Sequence, residues 1–419
     1  MPPPTELSGD EVARTASAPD RSGGWYDAGP DDEVDGVPAA RVARPASTRE
    51  VADVLRAAAH DRLRVVPRGH GTKLAWGMPP TGVDLLLDLS GLDRVLDHAA
   101  GDLIVAAEAG TPLAELQRVV RGAGQRLAVD ETVPGATVGG ALATHASGPL
   151  RMSTGTMRDL LIGVTVVRAD GVVAKAGGRV VKNVAGYDLG KLMVGSFGTL
   201  AVVTEALFRL HPLPEVRRWV AVPVAEPDDA LHRAQQVLHS QCVPAALEAE
   251  WTPEGGSVRV LLEGRAAGVA TRARQVQQLW GDDATEADPP SDCYPWDPAA
   301  RGDHRSTAVK LTFALSGLAD VLRAARVSAA PVRIRGSAGV GVAYAAVDGA
   351  VAEVVEAVHA LRDVCARCGG SAVVLDGPQG VKASLDLWGD VPALDLMRRV
   401  KDRFDPHRRL SPGRFVGDI

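Results

Sequence analysis

Apolar residues recur at helical spacing after residue 47. Val51, Val54, Leu55 and Ala58 share one face, and Ser47 or Thr48 stands ahead of them as a cap. The pattern predicts a helix through about His60 and then a short strand ending at Pro67. The runs DLLLDLS (84–90) and DLIVAAEAG (102–110) are apolar nearly throughout and predict buried strands. TPLAELQRVVRGAG (111–124) returns to helical period, with Pro112 in the first turn and Gly122 or Gly124 past the end. Leu200 to Val203 predicts a strand, as does PVRIRGSAG (331–339). Val351, Val354, Val355, Val358, Leu361 and Val364 predict an amphipathic helix. The first 35 or so residues are rich in Pro, Gly, Ser, Asp and Ala. They predict a flexible acidic lead-in, with short order near Trp25 and Tyr26. PPSDCYPWDPAARGDHR (289–305) predicts a long surface loop. The whole is an α+β pattern.

Three glycine-rich blocks interrupt these elements. VVPRGHGTKLAWG (65–77) opens from a strand into a loop holding Gly69, Gly71 and Gly77 among Arg68, His70 and Lys73. Such a loop lets the backbone take positive φ and line up N–H groups around an anion. Phosphate is the expected guest, and a plain structural turn is the alternative. The spacing fits neither a P-loop nor a Rossmann fingerprint. The second block, 133–167, sets Gly135, Gly139 and Gly140 before a run of alanines, which suits close packing of backbones or of a flat ligand. The third, 177–212, alternates glycines with an apolar strand. Contacts from several such blocks suit a ligand the size of a dinucleotide.

Composition narrows the class. The chain has 419 residues, enough for two or three domains, with 46% hydrophobic and 23% charged residues, as in ordinary globular proteins. A net charge of −6 and 4% aromatics disfavour a nucleic-acid surface. Four cysteines do not make a disulfide framework, so a reducing cytoplasm is expected. No transmembrane segment or secretory signal is expected, since no apolar run is long enough and the N-terminus lacks a basic, then apolar, stretch. Cys365 and Cys368 form a lone CxxC at a helix end. Core cysteines are expected there, with a redox or metal role as the alternative, and no metal site is expected. Arg333 and Arg335 share one strand face and read as a solvated face, or as cations for a substrate carboxylate; Lys310 reads likewise.

Pro67-Arg68-Gly69-His70-Gly71-Thr72, Pro134-Gly135-Ala136-Thr137-Val138-Gly139-Gly140 and Gly195–Leu200 with Thr204-Glu205 resemble the FAD domain of the vanillyl-alcohol oxidase and p-cresol methylhydroxylase superfamily. Within it, the chain most resembles the GlcE-type FAD-binding subunit of glycolate oxidase. Ser147-Gly148-Pro149, Arg158-Asp159, Val181–Asp188 and the tail carry this narrower likeness. In the tail Lys401, Phe404-Asp405-Pro406 and Pro412-Gly413-Arg414 match, while Ser411 replaces the usual asparagine. The resemblance is strong over 38–213 and 384–419 and weak between.

It implies a flexible segment (1–37), a two-subdomain PCMH-type FAD-binding domain (38–213), an α+β cap domain (214–390) and a C-terminal segment returning to the FAD domain (391–419). Residues 67–72 would wrap the pyrophosphate. Residues 134–140 with Ser147 and Gly148 would line flavin and pyrophosphate, and Val202 would meet the adenine side. Some relatives tether FAD to a histidine after a Gly-Gly pair. The matching position here is Thr72, so the resemblance implies non-covalent FAD and leaves His70 as a loop residue near phosphate. The histidine signatures of hydroxy-acid-oxidising relatives, His-x-Gly-Asp-Gly-Asn and Glu-His-Gly, do not occur. Tyr187 and His145 are lone candidates for a base, and no catalytic residue is assigned. The implied function is an electron-carrying FAD subunit working with a catalytic flavoprotein subunit and an iron–sulfur subunit on a small 2-hydroxy acid. The expected place is the cytoplasm or, through partners, the inner face of the membrane. A self-sufficient FAD oxidoreductase is the alternative, and a flavin-fold scaffold without flavin a third reading.

Overall fold

The computed structural model describes residues 24–179, 188–290, 292–300 and 305–419. Its first sheet orders the strands Trp25–Asp27, Val37–Ala43, Val83–Asp88 and Val65–Arg68, with the short Glu33–Val34 paired to Val37–Ala43. Val37–Ala43 and Val65–Arg68 both run parallel to the central Val83–Asp88. Helix Thr48–His60 makes the crossover. Ser47 Oγ caps it by accepting the Glu50 N–H at 3.2 Å, and its apolar face closes the core under the sheet. Among the described residues, Trp25–Asp27 and Glu33–Val34 already form strands ahead of residue 38. The acidic segment around Asp31–Asp35 is held because its carboxylates meet cations from distant parts of the chain.

A second sheet is antiparallel, in the order Val173–Gly177, Leu161–Val167, Val202–Arg209, Ile104–Glu108, Val95–Ala99. Helices Leu113–Arg121 and Val138–Thr144 cover its apolar face. Pro112 precedes the first of these helices instead of lying in its first turn. The predicted strand from Leu200 starts at Val202.

The third sheet has eight strands, all antiparallel: Thr285–Ala287, Val216–Val224, Gly255–Gly264, Ala246–Thr252, Val332–Ser337, Val342–Val347, Thr307–Thr312, Ser371–Asp376. Four helices, Pro227–Leu238, Ala266–Trp280, Leu318–Arg326 and Val351–Arg367, pack on one face and enclose the largest apolar core. Cys365 is buried in that core and its thiol is pushed up to about 12 by desolvation, as suits a packing residue.

The other face of this sheet meets the first two subdomains, and here the structure corrects the expected 289–305 surface loop. Tyr294 and Trp296 turn inward and are buried. Their rings stack 4.5 Å apart and nearly parallel; Tyr294 also meets Trp76 at 5.9 Å and Tyr344 at 4.7 Å, edge to face. Apolar rings in an otherwise polar segment find their burial across a domain boundary, which local sequence does not reveal.

Helix Leu394–Phe404 brings the tail back onto the second subdomain, where Val400 and Phe404 pack. Lys401 is fully buried. Its Nζ donates to Thr199 O (2.7 Å), Leu410 O (3.0 Å) and Asp405 Oδ2 (2.8 Å), and Asp405 in turn accepts the Leu410 N–H at 2.7 Å. Each buried charge thus has a partner, and the tail is fixed beside the 196–200 turn.

Candidate functional site

Strand Val65–Arg68 ends where the first two sheets face each other. The chain then turns through Gly71 at φ +73, a left-handed conformation that a side chain disfavours. Gly69 is needed for a different reason: a Cβ there would run into Thr137 Oγ1. Thr137 caps helix Val138–Thr144, its hydroxyl accepting the Gly140 N–H at 3.3 Å. The first glycine loop and the start of this helix are therefore in direct contact. Gly139 packs as closely on the other side, where a Cβ would lie 2.8 Å from the Ala109 Cβ. The third wall is the turn at Phe197 (φ 54) and Gly198 (φ 70), tied to the same helix by the Phe197 N–H donating to Ala143 O at 2.9 Å.

These three walls enclose one cavity, lined by Pro67 through Leu74, Thr137, Gly139, Gly140, Ala143, Thr144, Ser196–Gly198 and Ala201–Val203, with Leu89, Ala109 and Arg414. Ten expected site residues line it: Pro67, Arg68, Gly69, His70, Gly71, Thr72, Thr137, Gly139, Gly140 and Val202. Five do not. Val138 is buried in the second subdomain's core. Gly135 sits at the rim, its carbonyl accepting from His70 Nδ1 at 3.0 Å. Pro134 borders a separate recess with Asp130 and Cys293. Gly148 packs on Asp130, and the Ser147 carbonyl accepts the Tyr344 hydroxyl at 3.0 Å. The reason is the left-handed residue His145 (φ 50), which ends the helix and sends the chain away from the cavity toward the third sheet. Val180–Tyr187, and with them Tyr187 and most of the Val181–Asp188 motif, lie outside the described residues.

Sequence reasoning missed Lys73, Phe197 and Arg414 as lining residues. Arg414 had a signal, the Pro-Gly-Arg of the tail. It is buried, its Nη2 donates to Leu74 O (2.5 Å) and Trp76 O (2.6 Å), and burial pulls its pKa down to about 10. The tail thus holds the far end of the first glycine loop. Arg68 is also committed: its guanidinium pairs with Asp32 at 2.9 Å and Asp88 at 3.2 Å. Lys73 is 6% exposed, and its nearest polar partner is Thr72 Oγ1 at 3.3 Å. Burial pulls its pKa down to about 8, against a weak opposing pull from Glu131.

A second cluster faces the third sheet. His145 Nε2 is hydrogen-bonded to Thr156 Oγ1 at 3.0 Å; burial first, then Lys310, Arg151 and Arg158, depress its pKa to about 4. Lys310 is not on a solvated face. It is mostly buried, with a pKa lowered to about 8 by desolvation and then Arg151. Arg333 and Arg335 stand apart from the cofactor cavity. Arg333 pairs with Asp348 at 3.2 Å, Arg335 approaches Glu250 at 4.0 Å, and both line a recess with Trp296 and Asp297.

The cavity suits a flavin nucleotide on its own terms. Gly69 and Gly139 are bare where a Cβ would block the wall, and much of the lining is glycine backbone. Small and apolar side chains (Ala109, Ala143, Ala201, Val202, Val203) suit flat rings, and the buried Lys73 ammonium has no carboxylate partner among the described residues.

Comparison with known proteins agrees. Residues 39–177 match the family of the FAD binding domain, and residues 335–415 match the C-terminal domain of FAD linked oxidases. Glycolate oxidase subunit GlcD of Bacillus subtilis (strain 168) is 33% identical over 224 residues, 53% of this chain and 47% of that protein. D-lactate dehydrogenase of Archaeoglobus fulgidus is 34% identical over 207 residues, 49% of this chain and 46% of its own length. Glycolate oxidase subunit GlcE of Escherichia coli (strain K12) is 36% identical over 156 residues, 37% of this chain and 44% of that protein. The chain thus spans under half the length of each of these relatives. Among solved structures, an alkyldihydroxyacetonephosphate synthase superposes with a TM-score of 0.64 at 17% identity, over 90% of this chain and 77% of its own, a likeness of fold. The protein is an FAD-binding chain in which a PCMH-type FAD domain is joined to the C-terminal domain of FAD-linked oxidases.

Proposed function

We propose that this chain is an FAD-dependent oxidoreductase subunit that carries electrons during oxidation of a small 2-hydroxy acid to the 2-oxo acid. Its partners in this reading are a catalytic flavoprotein subunit and an iron–sulfur subunit of a glycolate oxidase type complex, in the cytoplasm or held by those partners at the inner face of the membrane. No described helix is long and apolar enough to cross a membrane. Bound FAD supplies the electron acceptance; the chain supplies the cavity, the glycine walls and the shielding from water. The FAD is read as non-covalent because Thr72 stands where a tethering histidine would be.

One observation carries the subunit reading. Where the third sheet meets the FAD domain, Tyr294, Trp296 and Tyr344 pack with Trp76 into an apolar layer. Removing hydride from a hydroxy acid needs a base and cations set over the flavin. His145, which faces the third sheet, is engaged by Thr156 and its pKa lies at about 4. It holds no proton at neutral pH, but it is a poor base.

A second reading, a self-sufficient oxidoreductase, is favoured by Lys310 and Arg151, two cations that both act on His145. Purification from the native host separates the two. Co-elution with a second flavoprotein and an iron–sulfur protein supports the subunit reading, and a stable single-chain flavoprotein with hydroxy-acid turnover supports the other.

A further inference from the structure

Three cations line the FAD cavity besides the exposed His70: Arg68, Lys73 and Arg414. Arg68 is neutralised by Asp32 and Asp88, and Arg414 is turned into the carbonyls of Leu74 and Trp76. Lys73 alone among these three has neither a carboxylate nor a carbonyl partner among the described residues; its ammonium reaches only the Thr72 hydroxyl. The one acid that acts on it, Glu131, lies beyond ion-pair distance and is itself engaged, its Oε1 accepting the Gly135 N–H at 2.9 Å. A buried ammonium without a counterion is costly, so the site is built for an anion that arrives with the ligand.

The place of Lys73 in the loop bears on which part of the ligand it meets. Its carbonyl accepts the Trp76 N–H at 3.2 Å, and Trp76 packs in the same cluster as Phe197. Val202 and Leu89, at the other wall, pack in the core of the first subdomain. The bare glycine backbone of 69–71 lies before Lys73 in the loop. Lys73 thus follows the bare glycine backbone in the loop and lines the cavity together with Phe197.

We infer that the Lys73 ammonium is the countercharge for the flavin ring of FAD, holding the anionic reduced ring more strongly than the neutral oxidised one. The inference rests on FAD binding and not on the subunit reading. A charge that favours the reduced ring raises the midpoint potential, because the two redox states then differ in affinity.

The test uses the holoprotein with Lys73→Met, Lys73→Gln and Lys73→Arg. The two-electron midpoint potential is measured by equilibration with a reference dye, and apoprotein is titrated with FAD and with ADP. Met and Gln are expected to weaken reduced relative to oxidised FAD by at least tenfold, a fall in potential of about 30 mV per factor of ten. Arg is expected to keep the wild-type potential within that margin, and ADP affinity to be unchanged in all three. A Met or Gln variant that binds FAD with an unaltered potential overturns the inference. Parallel loss of ADP and FAD affinity also overturns it, by placing Lys73 on the pyrophosphate. Gln keeps the side chain polar and close in size, so the result does not depend on whether Met folds. Absence of FAD from the wild-type protein would instead contradict the cofactor assignment itself.

Discussion

Lys382 Nζ lies 2.6 Å from Asp35 Oδ2, and both side chains are almost fully buried. Lys382 belongs to helix Gln379–Ser384 of the third-sheet domain, and Asp35 to the N-terminal segment. The same ammonium donates to Ala75 O at 2.5 Å and Gly77 O at 3.1 Å, on the chain leaving the first glycine loop. Arg305 approaches Asp35 at 3.4 Å from the 289–305 segment. One buried carboxylate thus joins the N-terminus, the cofactor loop and the cap.

Without Asp35, Lys382 keeps Asp376 at 3.1 Å and the two carbonyls, so the charge is only partly stranded. Asp35→Ala is expected to destabilise the protein by about 1–3 kcal/mol in chemical denaturation, and Asp35→Asn by less. The loss of Asp35 should also weaken FAD binding, since the 74–77 turn loses its anchor. A change below 1 kcal/mol with normal FAD content would contradict this role.

The two glycines of the first loop are required for different reasons, and substitutions should separate them. Gly69→Ala is expected to reduce FAD affinity strongly, because the new Cβ meets the Thr137 hydroxyl. Gly71→Val should do the same through its positive φ. His70→Ala removes one exposed hydrogen bond, to Gly135 O, and should cost within about tenfold in affinity. Fluorescence titration of apoprotein with FAD measures all three; equal losses would place the binding in the His70 side chain.

Glu248 gives a pH signature. It is buried opposite Ser337, and desolvation first, then Asp130, pushes its pKa from 4.5 up to about 8. A carboxyl whose folded pKa is raised contributes stability that is present below about pH 4.5 and is lost as pH rises through about 8. Glu248→Gln removes this dependence. The variant should match wild type near pH 5 and gain relative to it above pH 8, by a margin on the order of 4 kcal/mol at the upper limit. Denaturation at pH 5, 7 and 9 checks it; a constant difference would show that Glu248 is ionised throughout.

Much of the FAD-domain frame was legible in the sequence. The Thr48–His60 helix and the strands around residues 84–88 and 104–108 are set by local period, and the loop at 67–72 by its glycines. The strands and loops that local period misjudged are held by distant partners. Asp35 is ordered by Lys382, and Tyr294 and Trp296 by Trp76 and Tyr344. Ser147 and Gly148 are expected at the cofactor by the family resemblance alone. A single left-handed residue, His145, redirects them to the third sheet. Lys73 was read past for want of a P-loop spacing; only its burial without a carboxylate reveals it.

The central claim is that this chain carries electrons for a hydroxy-acid oxidation whose chemistry occurs elsewhere. The direct measurement is anaerobic mixing of the isolated, FAD-replete chain with glycolate or D-lactate while flavin absorbance is followed. Neither acid alone is expected to bleach the flavin, and reduction is expected once the catalytic flavoprotein partner is added. Fast bleaching of the isolated chain would contradict it and assign the oxidation to this chain's own cap.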